Sequence, residues 1–183
     1  MCKKIVEDEI KDLIFRFNTK NNLNSAVKDL THLKTYTIDD SKTLEIDDAI
    51  SLEQLSGQNK LWIHIASPTS YIEYQSCIDK NARKLISTVY LSTNTYYMLP
   101  EVLINNMFSL CDKEKRESLS LSVIFNDDGS IFSTEIVQSL IKVDYRLDFT
   151  EADELIDYAP KEEEDLSLIS TISGLSQPNW GLP

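Results

Sequence analysis

The chain is poor both in the residues that punctuate irregular structure and in the charge that nucleic acids attract. Four glycines and five prolines among 183 residues exclude collagen-like and low-complexity architectures. Only 18 Lys and Arg stand against 30 Asp and Glu, a formal net charge of −12. A free-standing nucleic-acid binder is normally basic, because phosphate neutralisation drives its affinity. Composition therefore argues against a simple cationic binding module. No apolar run approaches the ~18 residues of a membrane span. The opening MCKKIVEDEIKDLIFRF lacks the apolar region of a secretory signal. Cys2, Cys77 and Cys111 are odd in number, widely spaced and form no C-x-x-C pair. This excludes a disulfide framework and a cysteine zinc site, and it points to free thiols in a reducing compartment. The expected setting is the cytoplasm, with no membrane partner. No internal repeat is visible.

What is present is enough for a core: 42% of the residues are hydrophobic. The acidity is uneven. From residue 148 to 165 nine acidic residues accompany one basic, Lys161, so this segment holds −8 of the −12. It is a candidate contact for a basic protein partner. Ile5, Ile10, Leu13, Ile14 and Phe17 recur at helical spacing and predict an amphipathic helix over 4–17, ended by NTKNNLNS. Residues 45–53 and 61–67 read as paired strands around an SGQN turn, with LWIHIAS placing apolar groups inward and polar groups outward. A helix over 71–86, a short extended STVYLS and a helix with Pro100 at its first position follow. SLSLSVIF, the NDDG turn and a strand running to residue 147 form the clearest hairpin. Thr150 and Asp153 suggest a capping box for a helix over 150–157. The sum is an α+β domain of mixed or antiparallel strands with packed helices. We divide the chain into an N-terminal helical arm, 1–29, a domain, 30–165, and an irregular tail, 166–183. There GLSQPNWGLP abandons the pattern and reads as a truncated end.

The stretch TIDDSKTLEIDDAI, residues 37–50, places Asp39, Asp40, Glu45, Asp47 and Asp48 within ten positions, threaded by Ile38, Ile46 and Ile50. Carboxylates this close repel one another and need a shared proton or a cation, and the isoleucines argue that the backbone is half buried, where unpaired charge is costly. Mg²⁺ takes carboxylate oxygens and keeps sites for water and phosphate. The EF-hand pattern is absent, with no Gly after Asp39. On residue chemistry alone, a metal site and a solvated acidic turn both stand.

The wider pattern resembles the ribonuclease II / ribonuclease R family, and looks closest to its cyanobacterial and plastid branch. The blocks run in order: Thr37-Ile38-Asp39, Glu45-Ile46-Asp47-Asp48-Ala49, His64-Ile65-Ala66-Ser67, Tyr90-Leu91-Ser92, Met98-Leu99-Pro100 and Phe108-Ser109-Leu110. The resemblance as a whole covers roughly residues 30–160. The resemblance implies the N-terminal half of an RNB-type catalytic domain and a Mg²⁺-dependent exoribonuclease that degrades single-stranded RNA from the 3′ end. It places the metal cluster on Asp39, Glu45, Asp47 and Asp48, with Asp39 and Asp48 as direct ligands. Asp47 matches the position most needed for cleavage, and Tyr90 the tyrosine that stacks on a base. Asp40 receives no role.

Ser67, Leu85 and Ser92 depart from the family's Asp, Arg and Pro. The family's domain is about twice as long, and its second half brings a phosphate-binding arginine. The isolated chain is therefore expected to be weak or inactive. A non-catalytic acidic remnant that binds a metal or a protein is the competing reading. His64 reads as a satisfied core histidine, Trp62, Tyr96 and Tyr97 as packing, and Asp127-Asp128-Gly129 as turn chemistry.

Overall fold

The computed structural model describes residues 2–19, 26–55 and 58–157. The NTKNNLNS break from residue 20 on, Ser56 and Gly57 of the SGQN turn, the acidic residues 158–165 and the tail 166–183 lie outside the described residues. In chain order the elements are α1 (Cys2–Thr19), β1 (Lys28–Asp29), β2 (Thr35–Ile38), β3 (Asp48–Leu55), β4 (Gln58–Ala66), α2 (Cys77–Leu85), β5 (Val89–Tyr90), β6 (Thr95–Tyr96), α3 (Glu101–Leu103), β7 (Lys115–Phe125), β8 (Ile131–Lys142), β9 (Tyr145–Leu147) and α4 (Phe149–Asp157). Seven strands form one mixed sheet in the order β1-β8-β7-β4-β3-β2-β9, and β5-β6 is a separate ribbon. The α+β reading holds. No helix among the described residues is long and apolar enough to cross a membrane.

The hairpin arms β3-β4 and β7-β8 are antiparallel. They form where β-branched and large apolar residues alternate with small polar ones and where Gly129, at φ +82°, supplies the left-handed turn residue. The alternation in β4 runs opposite to the sequence expectation. Trp62 and His64 are fully buried, whereas Ile65 is 46% exposed, as is its cross-strand partner Leu119, and Ile136 on the same face is 68% exposed. The inward face tolerates polar groups because they satisfy one another. Ser51 Oγ lies 2.8 Å from His64 Nε2, His64 Nδ1 lies 2.6 Å from Ser120 Oγ, and Ser120 continues to Ser139 and Ser118. A buried polar network is tolerated when every member is paired. Leu30, Leu33, Ile46, Ala49, Trp62, Leu110, Ile141 and Val143 pack on this side.

A second core joins α1 to α2 and α3 through Leu13, Ile78, Leu99, Leu103, Ile104, Met107 and Phe108. The arm is thus docked. Glu9 of α1 accepts the first free N–H groups of α2, from Cys77 at 3.0 Å and Ile78 at 3.1 Å, beside the Ser76 N-cap. That cap explains why α2 starts at Cys77 and not at residue 71: Tyr71 and Ile72 reach the core from a turn. Pro100 stands one position before α3 as its N-cap, and α3 runs on into a wide π-type turn closed by Ser109 N–H to Ile104 O at 2.9 Å. The strand expected to reach residue 147 breaks after Lys142, because β9 leaves β7 and pairs parallel with β2. The capping box of α4 is Asp148 with Glu151, not Thr150 with Asp153. Asp148 Oδ1 accepts from Glu151 N–H at 2.9 Å and Glu151 Oε2 from Asp148 N–H at 2.8 Å.

Candidate active site

The antiparallel β2-β3 pair brings the two ends of the acidic stretch together: Asp39 follows β2 and Asp48 opens β3, in register Tyr36 opposite Ile50. The loop between them is pinned along its length. Asp39 N–H donates to Leu147 O of β9 at 3.1 Å. Asp40 Oδ1 accepts from Lys42 N–H at 2.9 Å, an Asx turn that gives the exposed Asp40 a local task. Arg146 of β9 donates from Nη2 to Thr43 O at 2.7 Å, with longer contacts to Ser41 O at 3.3 Å and Asp40 O at 3.5 Å. Ser109 Oγ accepts from Ile46 N–H at 3.1 Å and donates to Leu44 O at 2.8 Å. Ile46 itself is 1% exposed and plugs the loop into the sheet core. Ala66 N–H closes the loop on Asp47 O at 2.7 Å.

This backbone holds four carboxylates within electrostatic reach of one another. Although much of Asp47 faces solvent, loss of water on its protein side pushes its carboxyl up to about 6, with the repulsion of Glu45, Asp48 and Asp39 adding to it. Asp39 is raised by burial and then by Asp48, with Arg146 opposing. Asp39 Oδ2 is buried without a hydrogen-bond partner. Glu45 Oε2 accepts from Thr88 Oγ1 at 2.7 Å and from the Tyr90 phenol at 3.3 Å, and Thr88 Oγ1 accepts from Met98 N–H at 3.1 Å. This chain ties the β5-β6 ribbon, and Tyr90 with it, to the cluster. The Tyr90 ring is 62% exposed, with its phenol raised by burial and by Glu45.

The structure therefore places Asp39, Glu45, Asp47 and Asp48 within electrostatic reach of one another and ties Tyr90 to Glu45, while the Asp40 carboxylate is engaged in its own turn. Among the described residues no three His, Cys, Asp or Glu side chains close on one another as a ready metal cage. The donor set nevertheless fits a hard divalent cation: hard oxygens, mutually repelling, one of them buried and unpaired. His64 and Trp62 are core residues. Trp62 Nε1 donates to Glu53 at 2.9 Å, and its ring lies under Lys28 and Lys60. Asp128 accepts from Ser130 in the β7-β8 turn. Sequence reasoning missed Arg146, Ser109 and Thr88 as supports of the loop. Arg146 and Thr88 are single polar residues in segments remote from it with no local pattern to mark them, and Ser109 stands in the Phe108-Ser109-Leu110 block without a role.

A family profile described as the RNB domain matches residues 27–178. Ribonuclease II, chloroplastic/mitochondrial, of Arabidopsis thaliana is 40% identical over 143 residues, covering 78% of this chain and 18% of that protein. An uncharacterised ribonuclease of Synechocystis sp. is 38% identical over 143 residues, covering 78% and 22%. Among solved structures, Mycoplasma genitalium RNase R in complex with double-stranded RNA superposes with a TM-score of 0.73 at 23% identity, over 94% of this chain and 33% of that one. Yeast Ssd1, a pseudonuclease, gives 0.72 at 20% identity, over 86% and 19%. Both structures show the shared fold. The chain spans about a fifth of the length of the curated relatives it matches.

Proposed function

This chain belongs to the RNB-domain family, whose curated relatives are named ribonucleases, and from that premise we propose that its acidic loop is a Mg²⁺-dependent site for hydrolysing single-stranded RNA from the 3′ end. The observation that carries the reading is the unpartnered, buried Oδ2 of Asp39 beside three further carboxylates. Burying one such oxygen without a donor is costly, and a divalent cation removes the cost. Asp39 and Asp48 would hold the ion, with Glu45 and Asp47 completing its acidic surround. When bound, Mg²⁺ acidifies a coordinated water and offsets charge developing on the phosphate. Tyr90 offers an exposed ring on which a base stacks, and its phenol-to-Glu45 bond sets the ring's distance from the carboxylates. Asp47, the carboxyl pushed furthest up among the described residues of the metal-free chain, occupies the position that the resemblance makes most necessary for cleavage.

The test is a 3′-labelled single-stranded oligoribonucleotide incubated with the chain and Mg²⁺. Labelled mononucleotide is expected at a low rate, and none in EDTA or with Asp47→Asn. Equal release by wild type and Asp47→Asn refutes the assignment. One observation favours a second reading, a non-catalytic module that binds a metal or a basic protein partner: the four carboxylates do not converge on one point among the described residues. On that reading Mn²⁺ binds without mononucleotide release. In the described part of the acidic segment, Asp148 and Glu151 serve the α4 capping box, which leaves Asp153 and Glu154 exposed for such a partner.

A further inference from the structure

We propose that Arg146 is a positioning residue that sets the affinity of the acidic loop for a divalent cation, an inference that rests on the cation-site reading above. Asp39 leaves the sheet on one side of the loop, and Asp47 and Asp48 re-enter on the other. Any ion held between them requires the intervening residues to keep a fixed path. The sheet does not supply this, because residues 39–47 lie outside every strand. Ser109 and Ile46 fix the returning half from the core side. Among the described residues the outgoing half has one side-chain anchor from outside the loop: Nη2 of Arg146, 2.7 Å from Thr43 O and at longer range over Ser41 O and Asp40 O. β9 carries Arg146 opposite Thr37, while Leu147 O holds Asp39 N–H. One three-residue strand thus fixes both the first carboxylate and the turn behind it.

A guanidinium beside an acidic cluster could act in the opposite sense, as a resident cation that repels another. Its hydrogen bonds argue otherwise. They go to carbonyl oxygens, and Asp39 Oδ2 is left without a partner. Arg146 therefore orders the loop while leaving the carboxylate oxygen available. Arg is suited to this because its planar fork spans several acceptors in a fixed geometry, which the single ammonium of Lys does not. Residues that orient metal ligands from outside the ligand set typically change affinity about 10–100-fold when replaced.

The experiment is Mn²⁺ binding to the full chain by calorimetry, without RNA, in wild type, Arg146→Gln and Arg146→Lys. Circular dichroism and Tm check the fold, and amide deuterium exchange is read at residues 43–45. A roughly tenfold or greater loss of affinity is expected for Arg146→Gln and a smaller loss for Arg146→Lys, both with an unchanged fold and with faster exchange at residues 43–45. Unchanged affinity in Arg146→Gln overturns the proposal, and so does tighter binding, which would make Arg146 only a repelling charge. If Arg146→Gln does not fold, Arg146→Lys carries the same comparison. A wild-type chain that takes up no Mn²⁺ defeats the cation-site reading itself. Exchange then decides the clamp alone, and unchanged protection at residues 43–45 in the variants overturns it.

Discussion

Acidifying the metal-free chain sets two perturbed groups against each other, the buried His64 and the partly solvated Asp47. His64 is fully buried between two serine hydroxyls, and burial lowers its pKa from 6.5 to about 4. Between those values the unfolded chain binds a proton that the folded chain refuses, so stability falls as pH drops through 6.5 and the loss is complete below about 4. A difference of that size is worth on the order of 3 kcal/mol. Asp47 runs the other way. Its pKa rises from 3.8 to about 6, so the folded chain binds the extra proton and gains stability as pH drops through 6 toward 4. Solvent around Asp47 makes its contribution the smaller of the two. The net expectation for wild type in EDTA is a modest loss between pH 6.5 and 4. Asp47→Asn removes the opposing gain and steepens the loss, whereas His64→Asn removes or reverses it. Urea denaturation at half-unit pH steps, read as the difference between each variant and wild type, cancels the exposed carboxylates common to all three. If Asp47→Asn loses stability no more steeply than wild type over this window, the two carboxyl and imidazole environments are not those described.

Three further outcomes are expected. On the proposed cation-site reading, Mg²⁺ in millimolar excess is expected to raise the Tm of wild type, as any ligand of the folded state alone does. Asp39→Asn abolishes the rise, and an equal rise in that variant refutes a ligand role for Asp39. Ser109→Ala leaves the Ile46 N–H buried without its acceptor and costs about 1–3 kcal/mol in denaturant titration; a cost under a few tenths shows that water replaces it. Glu9→Ala exposes the N-terminus of α2 and costs about 1 kcal/mol, with faster amide exchange at Cys77 and Ile78; exchange that does not change places the cap entirely on Ser76.

Periodicity carried most of the fold. The 3.6-residue recurrence of Ile10, Leu13, Ile14 and Phe17 marks α1, and two-residue alternation marks β3, β4, β7 and β8. It failed where a hydrogen bond, not a pattern, sets the boundary. Ser76 starts α2 six residues after the apolar signal begins, and the Asp148–Glu151 pair starts α4 ahead of Thr150. It also misassigned the faces of β4, because alternation gives two faces without saying which is inside. His64 is inside because Ser51 and Ser120 pair both of its ring nitrogens. β2 was missed as a strand and β9 was merged with the long strand before it: four and three residues are too few to alternate visibly, and their pairing is decided by partners far along the chain. The acidic residues were legible as a set from their density and family pattern. Their supports were not, since Arg146, Ser109 and Thr88 acquire their roles only through the tertiary fold.

The Arg146 contact also bears on the order in which the molecule comes together. Thr43 and Arg146 are 103 residues apart in sequence, and the β2-β9 pairing that delivers Arg146 joins segments of similar separation. Contacts of such long range are the slowest to close, because loop entropy must be overcome before they contribute. The β3-β4 and β7-β8 hairpins need no such closure. Asp48 is therefore present on an early hairpin, with the other carboxylates in the loop that leads into it, but their array matures late, when β9 docks. A nascent chain that has emerged only as far as β8 carries every carboxylate of the cluster and still has no Arg146 or Leu147 to hold the loop.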